Sequence, residues 1–144
     1  MQYWDTSTLA KLYVSELDSA QFAAYLAATG PITTSELARW ELFRVLARKE
    51  AEGLIPTGAA EAIYASFMAD LASGKVRLVP MSPLLEARFQ RLVLRLHRLN
   101  PPLVVRTLDA IHIATADLHS ADVLIATDTN MRKCAAAIGL KLYP

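Results

Sequence analysis

The chain reads as an α/β protein, a three-layer sandwich in which a central, mostly parallel sheet is flanked by helices. Three observations predict this. Short apolar runs of strand length recur at residues 1–5, 32–34, 76–79, 123–126 and 140–143. Segments with helical spacing of apolar residues lie between them. Gly, Pro or small polar residues punctuate most of the junctions. Strands that alternate with helices pair in parallel, and right-handed crossovers then place helices on the faces of the sheet.

The elements follow in order. MQYWD is a short apolar strand ending in an acid, and Thr6, Ser7 and Thr8 offer N-caps for a helix over Leu9 to Val14. Residues 18–28 (DSAQFAAYLAA) form a second helix stopped by Gly30 and Pro31, before a brief strand at Ile32 to Thr34. Ser35 is the expected cap of a long helix over residues 35–51, with Leu37, Trp40, Leu42, Val45 and Leu46 as its apolar surface. Pro56 and Thr57 restart a helix through Leu71, with Ile63, Phe67 and Leu71 at fourfold spacing, so these two helices form a hairpin. Val76 to Val79 is the third strand, and residues 83–99 make an amphipathic helix closed by Asn100, Pro101 and Pro102. Thr107 is expected to cap a helix through Leu118. Val123 to Ala126, Asn130 to Ile138 and Leu140 to Tyr143 then give strand, helix and strand.

At 144 residues, with 53% hydrophobic and 20% charged residues, the composition suits one globular domain spanning residues 1–144. No apolar run approaches the roughly 20 residues that span a bilayer, and MQYWD is not the basic-then-apolar start of a secretory signal. A cytoplasmic protein without a membrane anchor is expected. The single cysteine, Cys134, excludes an internal disulfide and lacks the companions of a thiolate zinc site. It is expected as a small buried hydrophobe. The net charge of +1 says nothing by itself about nucleic acid, because opposed charges can segregate to different faces.

Four acids sit in otherwise apolar stretches: Asp5, Glu41, Asp109 and Asp128. A desolvated carboxylate takes a proton, finds a cationic partner or binds a metal ion. Each has a plain alternative. Asp5 and Asp128 follow strands and begin helices, where an N-cap carboxylate is ordinary. Glu41 faces Leu37 and Val45 and could pair with Arg44. Asp109, in a first helical turn, gains from the helix dipole. Together they suit a hard cation, Mg²⁺ or Mn²⁺, which prefers oxygen ligands and serves phosphodiester hydrolysis. Asp5 and Asp128 are the expected direct ligands, since both fall beyond the carboxyl ends of strands, where open α/β sheets bind ligands.

The segments MQYWDTSTLAKLY, TTSELARWELFRVL, RTLDAIHIATA and VLIATDTNMRKCAAAIGL resemble, in order and spacing, the motifs of PIN-domain ribonucleases over nearly the whole chain. The likeness is closest to small VapC-type toxins of toxin-antitoxin pairs. It implies a five-stranded parallel sheet, a Mg²⁺- or Mn²⁺-dependent endoribonuclease, a homodimer and an inhibiting antitoxin protein. The family's acidic set falls on Asp5, Glu41, Asp109 and Asp128, and the hydroxyl after the first acid falls on Ser7. Some members carry a further acid just beyond the last; Asn130 stands near that point, which leaves one ion or two open.

Other residues invite roles. Arg88, Arg91, Arg95 and Arg98 line one side of the helix over residues 83–99, as a phosphate-binding ridge or a solvated face. Arg106, just before Asp109, is the stronger RNA-binding candidate, with Arg95 and Arg98 behind it. His112, one turn after Asp109, is expected as a packed helix histidine outside the site, and Asp117 and Asp122 as solvent or turn residues. The face around Tyr64, Phe67 and Met68 either docks a partner or belongs to the core. Two other functions stay in view: a non-catalytic RNA- or antitoxin-binding scaffold, and a phosphoaspartyl domain, for which Lys133 and Lys141 are misplaced.

Overall fold

A strand without a polar face is stable only between two covering layers, and Gln2, Tyr3 and Trp4 are all buried. The computed structural model describes residues 1–144. Along the chain it forms β1 (Gln2–Trp4), α1 (Thr6–Ala10), α2 (Ser19–Thr29), β2 (Ile32–Ser35), α3 (Ala38–Ala51), α4 (Ala59–Ala72) and β3 (Val76–Val79). It continues with α5 (Pro83–His97), α6 (Thr107–Leu118), β4 (Val123–Ile125), α7 (Thr129–Ala137) and β5 (Leu142–Tyr143).

The five strands lie in the order β3-β2-β1-β4-β5 and every pairing is parallel. Side chains of a strand alternate between its faces, and the two packed layers follow from this alternation. Tyr3 and its β4 partner Leu124 pack with Leu92, Leu96, Ile113 and Met131 from α5, α6 and α7. Trp4 and Ile125 enter the opposite layer with Leu9, Phe22, Leu42, Leu46 and Phe67 from α1 to α4. Burying a side chain the size of Tyr or Trp contributes roughly 4–6 kcal/mol before conformational entropy is subtracted.

From β1 the chain winds outward through β2 to β3, then crosses back so that β4 lies on the other side of β1. The direction of winding reverses between β1 and β4. Helices entering from these two strands diverge there and leave a crevice at the carboxyl ends.

Several helix starts differ from the sequence expectation, each for a local reason. Asp5, rather than the hydroxyl cluster, caps α1, which therefore begins at Thr6 and ends at Ala10 rather than running from Leu9 to Val14. Ser35 is the last residue of β2, paired with Val79, and its hydroxyl accepts from the Leu37 amide at 3.2 Å; α3 begins only at Ala38. At α4 the start moves to Ala59 because Gly58, with φ 81°, turns the chain, and the Glu50 carboxylate accepts from the Ala60 amide at 2.9 Å. Thr107 is the first residue of α6 and Arg106 holds the cap position. Trp40 is not part of the buried face of α3: it is 62% exposed, while Ala38, Leu42 and Leu46 face the core. Cys134 is buried in the layer under α7. No helix is long and apolar enough to cross a membrane.

Candidate active site

The crevice between β1 and β4 is built first by backbone. The Asp5 amide donates to the Ile125 carbonyl at 3.0 Å, extending the β1–β4 ladder by one residue past the strand. The Thr8 hydroxyl lies 2.9 Å from both the Asp5 and Ile125 carbonyls and ties α1 to the same point. Asp5 is thus carried on backbone fixed from both β4 and α1. Its Oδ2 accepts from the Ser7 amide at 3.1 Å and from the Ser7 hydroxyl. In the loop after neighbouring β4, Asp128 caps α7, with Oδ1 accepting from the Met131 amide at 2.8 Å.

Glu41 reaches the crevice from the first turn of α3. Its Oε2 accepts from the Thr6 hydroxyl at 2.5 Å and from His112 Nε2 at 2.7 Å. His112 is 1% exposed, and its Nδ1 lies 2.8 Å from the hydroxyl of buried Tyr3. Burial alone would lower the histidine's pKa, but Glu41, Asp5 and Asp109 together raise it above the ordinary value. Glu41 is the mirror case: burial pushes its carboxyl up, and the His112 hydrogen bond and charge bring it below the usual range. A protonated imidazole in this pair donates from both ring nitrogens, to Glu41 and to Tyr3. His112 is a packed helix histidine, as expected, but it does not lie outside the site: Nε2 is also 3.8 Å from Asp5 Oδ1. Its position one turn after Asp109 was the available signal. What it faces is set by the packing of α6 against β1 and α3.

Asp109 and Asp128 share a different cation. Arg106 Nε donates to Asp109 Oδ2 at 2.8 Å, and Arg106 Nη2 donates to Asp128 Oδ2 at 2.7 Å. Burial raises the Asp109 pKa, Arg106 lowers it, and Asp128 and Asp5 raise it further, for a net upward shift. Asp128 moves down, chiefly through the Met131 amide and then through Arg106. The four acids therefore fall into two subsets, Asp5 with Glu41 and Asp109 with Asp128. In this arrangement no three acidic or histidine side chains converge closely enough to hold one ion.

Asn130 stays beside Asp128, which its backbone also bonds, whereas the arginine candidates of α5 are held by other contacts. Asn130 donates from Nδ2 to the Val104 carbonyl at 2.9 Å and secures the loop before Arg106. Arg95 Nη2 reaches the Ala137 carbonyl at 3.4 Å, at the far end of α7 from Asp128. That is roughly 13 Å along the helix, so Arg95 is not in the crevice. Arg98 is the exposed C-cap of α5. Arg88 is not a free phosphate contact either, because it pairs with Asp117 at 3.1 Å. Asp117 accordingly belongs to an α5–α6 ion pair rather than to a turn, whereas exposed Asp122 binds the terminal ammonium.

With this geometry in place, the similarities have a structural meaning. A sequence model of the PIN domain family matches residues 3–137, and the chain belongs to that family. It is 31% identical over 140 residues to Ribonuclease VapC46 of Mycobacterium tuberculosis, covering 96% of this chain and 92% of that protein. Among solved structures, VapC20 of the same organism, a sarcin-ricin loop cleaving toxin, superposes with a TM-score of 0.68 at 20% identity over 97% of this chain and 96% of that one. A toxin-antitoxin complex from Klebsiella pneumoniae gives 0.62 at 20% identity, covering 90% and 88% of the two chains.

Proposed function

We propose that the chain is a Mg²⁺- or Mn²⁺-dependent endoribonuclease acting as the toxin of a toxin-antitoxin pair. One observation carries the chemistry. Carboxylates from four separate parts of the chain border the switch point between β1 and β4, Asp5 and Glu41 around His112 and Asp109 and Asp128 around Arg106. The name of VapC46 as a ribonuclease and the cleaving toxin VapC20 support RNA as substrate. The toxin-antitoxin complex supports an antitoxin partner, and a second copy of the chain is what the family resemblance implies.

The donor set suits a hard cation in kind, being all carboxylate oxygen with a hydroxyl from Ser7 nearby. In arrangement no three of these side chains converge, because Asp109 and Asp128 are turned onto Arg106, so an ion would need both to turn from Arg106 toward Asp5. Asp5 and Asp128 would hold the ion directly and Asp109 would complete the set. A divalent ion bound there would supply water activation and stabilisation of the leaving oxygen. The protein supplies the rest. Ladder bonds fix Asp5, His112 and Thr6 orient Glu41 toward the crevice, and the Arg106 guanidinium suits an RNA phosphate in bidentate geometry.

The test is cleavage of RNA by purified protein with Mn²⁺, compared with Asp5→Asn and Asp128→Asn. Each variant is expected to lose at least about 100-fold, beyond the 10- to 100-fold typical of residues that only support a ligand. Equal cleavage by all three proteins would assign the activity to a contaminant.

A further inference from the structure

Two basic side chains face these acids, and they differ in freedom. His112 is enclosed, with both ring nitrogens committed to Glu41 and Tyr3. Arg106 lies at the mouth with a side chain 67% exposed, bridging carboxylates that belong to two different helices. Its backbone is anchored, since the Ala110 amide donates to the Arg106 carbonyl at 2.9 Å, so the guanidinium can swing away without moving α6.

We infer that Arg106 is an internal counter-ion that a divalent cation must displace, so that metal entry and release of Arg106 are one coupled step. The inference rests on the metal-site reading above. Both Arg106 contacts are to Oδ2 atoms, and the other Asp128 oxygen is already held by the Met131 amide. An ion drawing on these two carboxylates would sit within about 5 Å of the guanidinium, where like charges repel strongly in a partly desolvated crevice. Without either cation the clustered carboxylates would repel one another, so Arg106 keeps the pair assembled until the ion arrives.

Mn²⁺ is titrated calorimetrically into RNA-free wild type, Arg106→Gln, Arg106→Lys and Asp128→Asn. Removing the competing charge should tighten Mn²⁺ binding in Arg106→Gln by roughly tenfold, within the usual range of coupling between two ligands. Arg106→Lys, which keeps the charge, should stay near wild type. In ¹⁵N-labelled wild type, Mg²⁺ should move the Arg106 Nε–H resonance toward that of a solvent-exposed arginine. Unchanged or weaker Mn²⁺ binding in Arg106→Gln, or an Arg106 resonance indifferent to Mg²⁺, overturns the coupling while Asp128→Asn still reports a metal site. Wild-type affinity in Asp128→Asn would instead sink the metal site, and the coupling with it.

Discussion

His112 shows how one side chain fixes the geometry of another. It is enclosed, it makes a 2.7 Å bond to Glu41 and it meets Tyr3 on the opposite ring edge. Truncating one member of such a pair leaves the other's charge buried without a partner, which costs more than the pair itself contributed. His112→Ala should therefore destabilise the protein by about 3 kcal/mol, the low end for buried pairs because Glu41 keeps some access to water. Urea unfolding at neutral pH measures this; a loss below about 1 kcal/mol would mean that Glu41 relaxes into solvent. The acids at strand ends were legible because a strand, an acid and a helix follow one another in MQYWDTST and VLIATDTN. His112 was not, because periodicity places it on the buried face of α6 without naming what packs opposite.

At the scale of elements, α1 is only five residues long, yet it carries Thr6 and follows Asp5. Its position depends on what holds the loop behind it. Lys11 bonds Asp18 at 2.6 Å, and Glu16 bonds Lys49 at 2.7 Å, so the loop is tied to the start of α2 and the end of α3. Burial pushes the Glu16 carboxyl up, but Lys49 and then Lys11 bring it below its ordinary value. A depressed folded-state pKa contributes stability above the unfolded pKa of about 4.3, and that stability is lost as pH falls through the folded value. Glu16→Gln should therefore cost roughly 0.5–1 kcal/mol at pH 7 and nothing once the pH is well below the ordinary glutamate range. A difference from wild type that persisted at pH 2.5 would show that shape rather than charge is responsible. The starts of α2, α5, α6 and α7 were predictable to within a residue, but those of α1, α3 and α4 were not. Asp5, Ser35 and Gly58 all redirect the chain by bonds or backbone angles that depend on neighbours.

Across the whole molecule the sheet separates two cores, and each functional side chain is held from one of them. Glu41 rides on α3, which α4 supports through Phe67, 0% exposed and edge-on to Tyr13. Of the face once open to either docking or core, Phe67 is interior, Tyr64 is half-buried against it, and Met68 borders solvent. Phe67→Ala should cost about 3–5 kcal/mol, as expected for an emptied aromatic site. Chemical denaturation should show this without any partner present. A cost below 1 kcal/mol would return Phe67 to the surface. By itself the sequence determined the alternation of strands and helices, the parallel sheet and the acids at the strand ends, because periodicity and chain polarity are local properties. The tertiary structure alone decided that His112 joins Glu41, that Arg106 bridges Asp109 and Asp128, and that Arg95 lies away from the crevice. Those pairings join residues up to 71 positions apart, and their energies depend on burial and distance, which exist only after the chain has folded.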